Sequence, residues 1–149
     1  MTRAFIGIGS NLGDREATIR RALELLGPAR VSTLRETDPV GFVDQPRFLN
    51  GAAEIETELP PRALLGRLLE IERELGRTRA GPRFGPRAID LDLLLYGDAV
   101  VVEPGLVVPH PRLHEREFAL EPLAELDPAL ELPGRGPVAA LLAGLQSEK

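Results

Sequence analysis

The period of the hydrophobic positions changes along the chain, and each change marks a predicted element. Residues 3–9 form a short apolar run that ends on glycine, which predicts a strand, and residues 31–35 predict a second. Residues 49–59 alternate between apolar and acidic side chains, the pattern of a half-buried antiparallel strand. Residues 88–96 predict a fourth strand, and residues 100–102 are expected to pair with its end as a short hairpin. The buried face of the fourth strand is predicted to carry four residues: Ile89, Leu91, Leu93 and Leu95.

Two helices are predicted between these strands. The first begins after Asp14, a candidate N-cap, and runs to about Leu26, where Gly27 ends it. The second opens with Pro60 and Pro61, because proline is favoured in a first helical turn, and it ends at Gly76. Its core side is expected to carry apolar residues at helical spacing: Leu64, Leu68, Ile71 and Leu75.

The order of the predicted elements indicates the fold class. Residues 37–47 and 77–87 are rich in glycine and proline and are predicted loops, and seven prolines after residue 103 predict loops with short helices. The resulting order, β-α-β-β-α-β and a tail, is typical of an α+β fold. It predicts a ferredoxin-like antiparallel sheet with two main helices on one face, plus short C-terminal helices, in a single domain over residues 1–149. A doubly wound parallel sheet is the main alternative, and it is disfavoured because no helix joins the second and third strands.

Composition narrows the class of protein. The chain has 149 residues, 43% of them hydrophobic and 28% charged, which excludes a disordered, collagen-like or coiled-coil protein. No apolar stretch is long enough for a membrane span, and the first residues lack a secretory signal. The chain has no cysteine, so we expect a cytoplasmic protein without disulfides. A formal net charge of −5 argues against a nucleic-acid partner.

Asp90 and Asp92 are the strongest chemical signal in the sequence. Residues two apart in a strand point to the same face, about 6.6 Å apart, so both carboxylates project from an otherwise apolar strand. Their mutual repulsion is reduced by a divalent cation, and Mg²⁺ commonly takes one or two carboxylates together with substrate phosphates. Solvent exposure at a sheet edge, or pairing with arginines, remains the structural alternative.

A cationic loop precedes this pair. Arg77, Arg79, Arg83 and Arg87 alternate with glycines and prolines, and no acidic residue interrupts them. Such a loop beside a carboxylate pair suits a polyphosphate, whose outer oxygens arginines neutralise. The alternative is a solvated loop that pairs with the acidic residues of the preceding helix.

Other candidates carry less chemistry by themselves. The segment from Gly7 to Gly13 joins a strand to a helix, but Leu12 stands where a dinucleotide-binding fingerprint needs glycine, so a tight turn is the better interpretation. His110 lies in a proline-bracketed loop and, taken alone, suits a structural role. The amide of Asn50 suits either a turn cap or the edge of a heterocycle.

Several ordered motifs resemble one family. Residues 83–94 read Arg-Phe-Gly-Pro-Arg-Ala-Ile-Asp-Leu-Asp-Leu-Leu and closely resemble the signature of the 6-hydroxymethyl-7,8-dihydropterin pyrophosphokinase family. Residues 8–13, 44–50, 108–110 and 116–118 match further motifs, so the resemblance extends over essentially the whole chain. It implies a ferredoxin-like fold and transfer of the pyrophosphoryl group of ATP to the hydroxymethyl oxygen of the pterin, with release of AMP, in folate biosynthesis.

The resemblance also implies roles for individual residues. Two Mg²⁺ ions are expected at Asp90 and Asp92, which with Arg77 and Arg87 form the implied catalytic set. The implied ATP-binding residues are Glu72, Arg77, Arg79, Arg87, His110 and Arg116. The implied pterin pocket consists of Thr37, Val40, Phe48, Asn50 and Phe118. In that pocket the two phenylalanines sandwich the ring and the asparagine binds its edge. We expect a monomer whose partners are these small-molecule substrates.

The sequence departs from the family pattern at four positions. Phe84 stands where many members carry tryptophan, and Phe48 where tyrosine is common. Asp38 replaces a frequent proline, and Pro111 follows His110 where an aromatic residue is frequent. None of these positions is part of the aspartate pair, so we expect altered affinity or loop dynamics and retention of the reaction.

Two other functions remain open from the residues alone. A metal-dependent phosphohydrolase would use the same aspartates and arginines with water as acceptor. A small regulatory domain would bind its ligand without turnover and would have little need for both features.

Overall fold

A computed structural model of the chain describes residues 1–39, 44–76 and 88–148. The predicted loop at residues 77–87 lies outside the described residues. In the described part the first elements are β1 (Thr2–Ser10), α1 (Arg15–Leu26), β2 (Arg30–Val31), β3 (Arg35–Thr37), β4 (Phe48–Thr57) and α2 (Pro61–Glu74). They are followed by β5 (Asp90–Tyr96), β6 (Val101–Glu103), β7 (Leu106–Val108), a 3₁₀ turn (Leu113–Glu115), α3 (Glu117–Leu126), β8 (Glu131–Leu132), β9 (Gly136–Pro137) and α4 (Val138–Ser147).

The main sheet is antiparallel, as predicted. Its strand order is β2-β4-β1-β5, and β3 also pairs with β4. If β2 and β3 are taken as one interrupted strand, this is the ferredoxin-like order, with α1 and α2 as the two crossover helices. The predicted α+β class is therefore confirmed, and the doubly wound parallel sheet is excluded.

The first core lies between the sheet and helices α1 and α2. The carboxylate of Asp14 accepts a hydrogen bond from the Ala17 amide at 3.0 Å and caps α1 as predicted. Gly27, at a φ of 99°, ends that helix. In α2 three of the four predicted core residues are buried, and the fourth packs against them: Leu64, Leu68, Ile71 and Leu75.

The second core covers the opposite face of the sheet. Helices α3 and α4, which the proline-rich tail forms, pack together and α3 lies against β4. Phe5 and Leu94 from the sheet join Leu120 and Leu123 from α3 in this cluster. The tail is thus a third layer, and its first helix brings residues 117–119 to the sheet.

The predicted strand over residues 31–35 is wrong in its extent. The structure has two short strands, and Ser32 interrupts the ladder between them, because its hydroxyl accepts a hydrogen bond from the Ala52 amide at 2.9 Å. The amide of Thr33 turns away from β4 and donates to Glu125 on α3 at 2.8 Å. Thr37, which was predicted to begin a loop, is the last residue of β3.

The predicted hairpin between residues 100–102 and the end of β5 is also wrong. β6 pairs with β7 instead, and Val102 stands opposite Val107. Pro104 and Gly105 connect the two strands, and Gly105 has a φ of 75°. Proline followed by a glycine at positive φ is the pattern of a type II turn, which holds β6 and β7 together.

Leu95 does not share a face with the other apolar residues of β5. The pairing register with β1 shifts between Phe5 and Ile6, so that Phe5 pairs with Leu95 and Ile6 with Leu93. The extra residue is a bulge that turns Leu95 into the second core beside Leu94. The prediction for Leu95 is therefore wrong, while Ile89, Leu91 and Leu93 lie in the first core as predicted.

No helix within the described ranges has the length and apolar character needed to cross a bilayer.

The first core makes a quantitative prediction about stability. Leu68 is fully buried on α2, whereas Leu59 is 41% exposed. We expect Leu68→Ala to lower the free energy of unfolding by about 2–5 kcal/mol, because it leaves a cavity between α2 and the sheet. Leu59→Ala is the matched control and should cost less than about 1 kcal/mol. Urea unfolding measures the loss of unfolding free energy in both variants, provided that this free energy depends equally on urea concentration in each. Equal losses in the two variants would contradict the assignment of this core.

Candidate active site

One cavity of about 470 Å³ gathers the predicted site residues that the structure describes. It is lined by strands β1, β4 and β5, by helix α2 and by the segment that leads into α3. The predicted residues that line it are Thr37, Phe48, Asn50, Glu72, Asp90, Asp92, His110, Arg116 and Phe118. The others lie outside the described residues: Val40, Arg77, Arg79 and Arg87.

Two glycines of the central strand border the cavity. Gly9 stands between Asn50 on β4 and Asp90 on β5, and Gly7 pairs with Asp92. A Cβ atom on Gly9 would lie 2.5 Å from Oδ1 of Asn50, which leaves no room for a side chain. Because neighbouring strands are about 4.8 Å apart, Asn50 and Asp90 are separated by roughly 10 Å across this glycine.

The carboxylate end of the cavity is formed by Asp90 and Asp92. Both are partly buried, both line the cavity, and Leu91 between them points into the first core. Within the described ranges no three His, Cys, Asp or Glu side chains converge on a metal position. A pair of carboxylates suits Mg²⁺, which commonly takes one or two carboxylates and completes its shell with water and substrate phosphates.

Glu72 approaches the same strand from α2. Its side chain is buried, and its Oε2 accepts a hydrogen bond from the Leu91 amide at 2.8 Å. Glu72 is thus bonded to the strand backbone at Leu91, between the two aspartates in sequence.

The opposite end of the cavity suits a flat polar ring. Nδ2 of Asn50 donates to Oγ1 of Thr37 at 2.8 Å, which orients the amide. An amide offers both donor and acceptor to the edge of a heterocycle. Phe48 and Phe118 supply aromatic surface, and the Arg116 guanidinium lies 5.6 Å from the centre of the Phe118 ring.

His110 lies at the carboxylate end of the cavity, and its surroundings keep the imidazole uncharged. Burial lowers its pKa to about 4, and the nearby Arg116 and Arg112 add to this effect, whereas Asp90 opposes it. Nδ1 accepts a hydrogen bond from the Arg112 amide at 3.2 Å, so the proton of the neutral ring lies on Nε2. Nε2–H is therefore a donor for a ligand oxygen.

Sequence reasoning assigned no role to two residues that shape this region. Arg112 lines the cavity and adds positive charge beside His110. Asn11 is buried, and its Nδ2 donates to Oε1 of Gln45 and to the Pro46 carbonyl, both at 2.9 Å. It thus anchors the segment that leads to Phe48. A polar amide directly after a buried strand was the available signal for Asn11, whereas the position of Arg112 depends on the path of the tail.

The two ends of the cavity define a class of enzyme. One end offers carboxylates, arginine and an imidazole donor, which suit a metal-bound polyphosphate. The other end offers aromatic faces and an amide, which suit a heterocycle. A site of this kind, on an antiparallel α+β sheet, belongs to enzymes that transfer a phosphorus-containing group between two bound substrates.

Comparison with known proteins specifies the family. Residues 5–128 match the family model described as 7,8-dihydro-6-hydroxymethylpterin-pyrophosphokinase (HPPK). The 2-amino-4-hydroxy-6-hydroxymethyldihydropteridine pyrophosphokinase of Bacillus subtilis (strain 168) is 50% identical, over 83% of this chain and 77% of that protein. The enzyme of that name from Pseudomonas aeruginosa is 44% identical, over 98% of this chain and 93% of that protein. The chain belongs to the 7,8-dihydro-6-hydroxymethylpterin-pyrophosphokinase family.

Solved structures agree on the fold. The crystal structure of Plasmodium falciparum HPPK-DHPS A437G with STZ-DHP matches with a TM-score of 0.81 at 14% identity. The match covers 99% of this chain but 46% of the other, so this chain spans about half the length of that protein. At this identity the likeness concerns the fold alone.

The contact between Gly9 and Asn50 yields a testable prediction. We expect Gly9→Ala to displace the Asn50 amide and break its bond to Thr37, because Oδ1 must move from 2.5 Å to an ordinary contact beyond 3.4 Å. Gly7→Ala is the matched control, since its Cβ meets only the flexible end of Leu94 at 3.3 Å. The side-chain NH₂ resonances of Asn50, followed by NMR, should shift strongly in the first variant only. Similar shifts in both variants would contradict this geometry.

The lowered pKa of His110 predicts a pH dependence of stability. In the unfolded chain its pKa is near 6.5, and in the folded protein it is about 4. Between these values the unfolded chain binds the extra proton, so His110 favours the folded state above pH 6.5 and this contribution is lost as the pH falls towards 4.

We expect His110→Gln to flatten the pH dependence of the free energy of unfolding between pH 7 and pH 5, as measured by urea titration. His114→Gln controls for loss of a histidine elsewhere. A wild-type profile that matches the His110→Gln profile would show that His110 titrates normally.

Proposed function

We propose that the described cavity carries out the reaction of the family, with ATP at its carboxylate end and 6-hydroxymethyl-7,8-dihydropterin at its aromatic end. As a member of this family, the chain is an ATP-dependent pyrophosphokinase of folate synthesis. The hydroxymethyl oxygen attacks the β-phosphorus of ATP, and the bond from that phosphorus to the α,β-bridging oxygen breaks. AMP leaves with the bridging oxygen, and the hydroxyl proton passes to solvent.

At the ATP end, Asp90 and Asp92 are proposed to hold two Mg²⁺ ions. When bound, these ions neutralise phosphate charge and promote ionisation of the attacking hydroxyl. His110 donates from Nε2 to a phosphate oxygen, and Arg116 adds a positive charge. The remaining proposed triphosphate ligands are Arg77, Arg79 and Arg87, of which Arg77 and Arg87 also stabilise the transition state.

At the pterin end, Phe48 and Phe118 are proposed to stack on the two faces of the ring. Asn50, oriented by Thr37, binds the edge of the ring through its carbonyl oxygen and remaining amide proton. Val40 completes this proposed pocket.

The observation that carries the proposal is the row of Asn50, Gly9 and Asp90 across three strands. It supports the proposal because the proposed ring-edge ligand and the proposed metal-binding residue have their Cα atoms roughly 10 Å apart, with a glycine between them. Catalysis then consists of positioning and charge neutralisation, and it needs no covalent intermediate.

The proposal also covers the domain organisation, oligomeric state, location and partners of the protein. One domain carries the whole activity, and it acts as a monomer in the cytoplasm. Its partners are the two small-molecule substrates, and it binds neither nucleic acid nor membrane.

Product analysis tests the reaction directly. Purified protein is incubated with ATP, Mg²⁺ and the pterin, and nucleotides are separated by chromatography, with controls that omit the pterin or contain EDTA. AMP that forms only with both pterin and metal supports the proposal. ADP, or AMP without pterin, would indicate a phosphohydrolase, and nucleotide binding without turnover would indicate a regulatory domain.

The aspartate pair makes a sharper prediction. We expect Asp90→Asn and Asp92→Asn each to lower kcat by about a hundredfold or more, because a metal ligand is lost and several kcal/mol of charge stabilisation go with it. Asp98→Asn, in the exposed turn after β5, is the matched control and should retain activity. Unchanged turnover in either first variant, with an unchanged unfolding midpoint, would remove the metal assignment.

A further inference from the structure

Glu72 is the sole buried charged residue in the described part of the chain, with 3% of its surface exposed. A buried carboxylate is costly unless polar partners compensate it, so its position calls for a physical reason. Resemblance to the family suggested a direct contact with ATP. The contacts of its carboxylate point to a different role.

The carboxylate is bonded to the backbone of the strand that carries the aspartates. Oε2 of Glu72 accepts from the Leu91 amide at 2.8 Å, and this amide belongs to the peptide unit between Asp90 and Leu91. β5 is an edge strand of the main sheet, with β1 on its other side. An amide on the outer edge of such a strand has no ladder partner, and Glu72 supplies one.

This bond acts on the spacing of the two aspartates. Their carboxylates lie on one face of the strand, about 6.6 Å apart, and repel each other. At this edge of the sheet, no strand in the described part of the chain pairs with the outer side of β5. The hydrogen bond from the Leu91 amide to Glu72 on α2 holds the peptide between Asp90 and Leu91 in place. It thereby restrains the directions of both aspartate side chains.

Glu72 is not a third metal ligand in this geometry. No trio of acidic or histidine side chains in the described part of the chain is arranged to hold a metal. Because Glu72 already bonds the strand backbone, it belongs to the layer that orients the ligands, and such partners commonly change metal affinity by about 10–100-fold.

We propose that Glu72 is a positioning residue, which fixes the Leu91 peptide so that Asp90 and Asp92 present their carboxylates together to a divalent cation. This inference rests on the proposed function for its cation. In this role Glu72 orients the aspartate pair and does not bind the nucleotide.

The first test is made without metal or substrate. Hydrogen exchange of the Leu91 amide is followed by NMR in Glu72→Ala, Glu72→Gln and the control Glu70→Ala, an exposed residue of the same helix. We expect exchange to rise about tenfold or more in Glu72→Ala and to stay near the wild-type rate in Glu70→Ala. Glu72→Gln should retain most of the protection, since its amide oxygen still accepts a hydrogen bond. Unchanged exchange in Glu72→Ala would overturn the proposal.

The second test measures the cation and the nucleotide separately. Mn²⁺ affinity, from water-proton relaxation without nucleotide, should fall about tenfold or more in Glu72→Ala and largely recover in Glu72→Gln. In kinetic assays kcat should fall by a similar factor, with KM for ATP changed by less than about threefold. Equal loss of ATP affinity in both Glu72 variants, with unchanged Mn²⁺ affinity, would instead establish a nucleotide contact.

The two proposals fail in distinguishable ways. Absence of pyrophosphoryl transfer by the wild-type protein would overturn the proposed function alone, because the exchange and Mn²⁺ measurements need no substrate. Wild-type transfer combined with unaltered exchange and Mn²⁺ affinity in Glu72→Ala would overturn the positioning role alone.

Discussion

The double pairing of strand β1 is the constraint on which the rest of the structure depends. β1 is bonded to β4 on one side and to β5 on the other, so it fixes the register of every residue that those strands bring to the cavity. Its two faces differ in kind. Ile6 and Ile8 pack into the first core, whereas Gly7 and Gly9 allow the side chains of Leu94 and Asn50 to lie close to the backbone on the other face. β1 therefore serves as a structural element through Ile6, Ile8 and Phe5, and as the floor of the cavity through Gly7 and Gly9.

Repulsion between acidic side chains is the main electrostatic feature of the carboxylate end of the cavity. Asp90 and Asp92 place like charges on one strand face, and Glu72 adds a carboxylate behind them. Such an arrangement destabilises the folded protein unless cations or hydrogen bonds offset it. The Leu91 amide offsets part of it, and a bound cation would offset more. His110 remains neutral, so it offers a proton on Nε2 without adding a fixed charge.

The tail contributes chemistry as well as packing. Helix α3 buries Leu120 and Leu123 against the sheet, and this contact determines where its first turn lies. That turn brings Phe118 to the ring end of the cavity, just after Arg116. The family match ends at residue 128, close to the end of α3, so the part of the chain that lines the cavity falls within it. The packing of α3 on the second face of the sheet therefore also brings Arg116 and Phe118 to the cavity.

The sequence by itself determined the elements and the chemistry. Alternation in β4, helical spacing in α2 and the Asp-Leu-Asp triplet are local patterns, and each depends on residues close together in the chain. The tertiary structure decided the rest, because it depends on contacts between distant residues. A register shift against Phe5 turned Leu95 into the second core, and the Ser32 hydroxyl divided a predicted strand in two. The bond from Glu72 to the Leu91 amide joins residues 19 positions apart, and only the packing of α2 beside the edge of the sheet creates it.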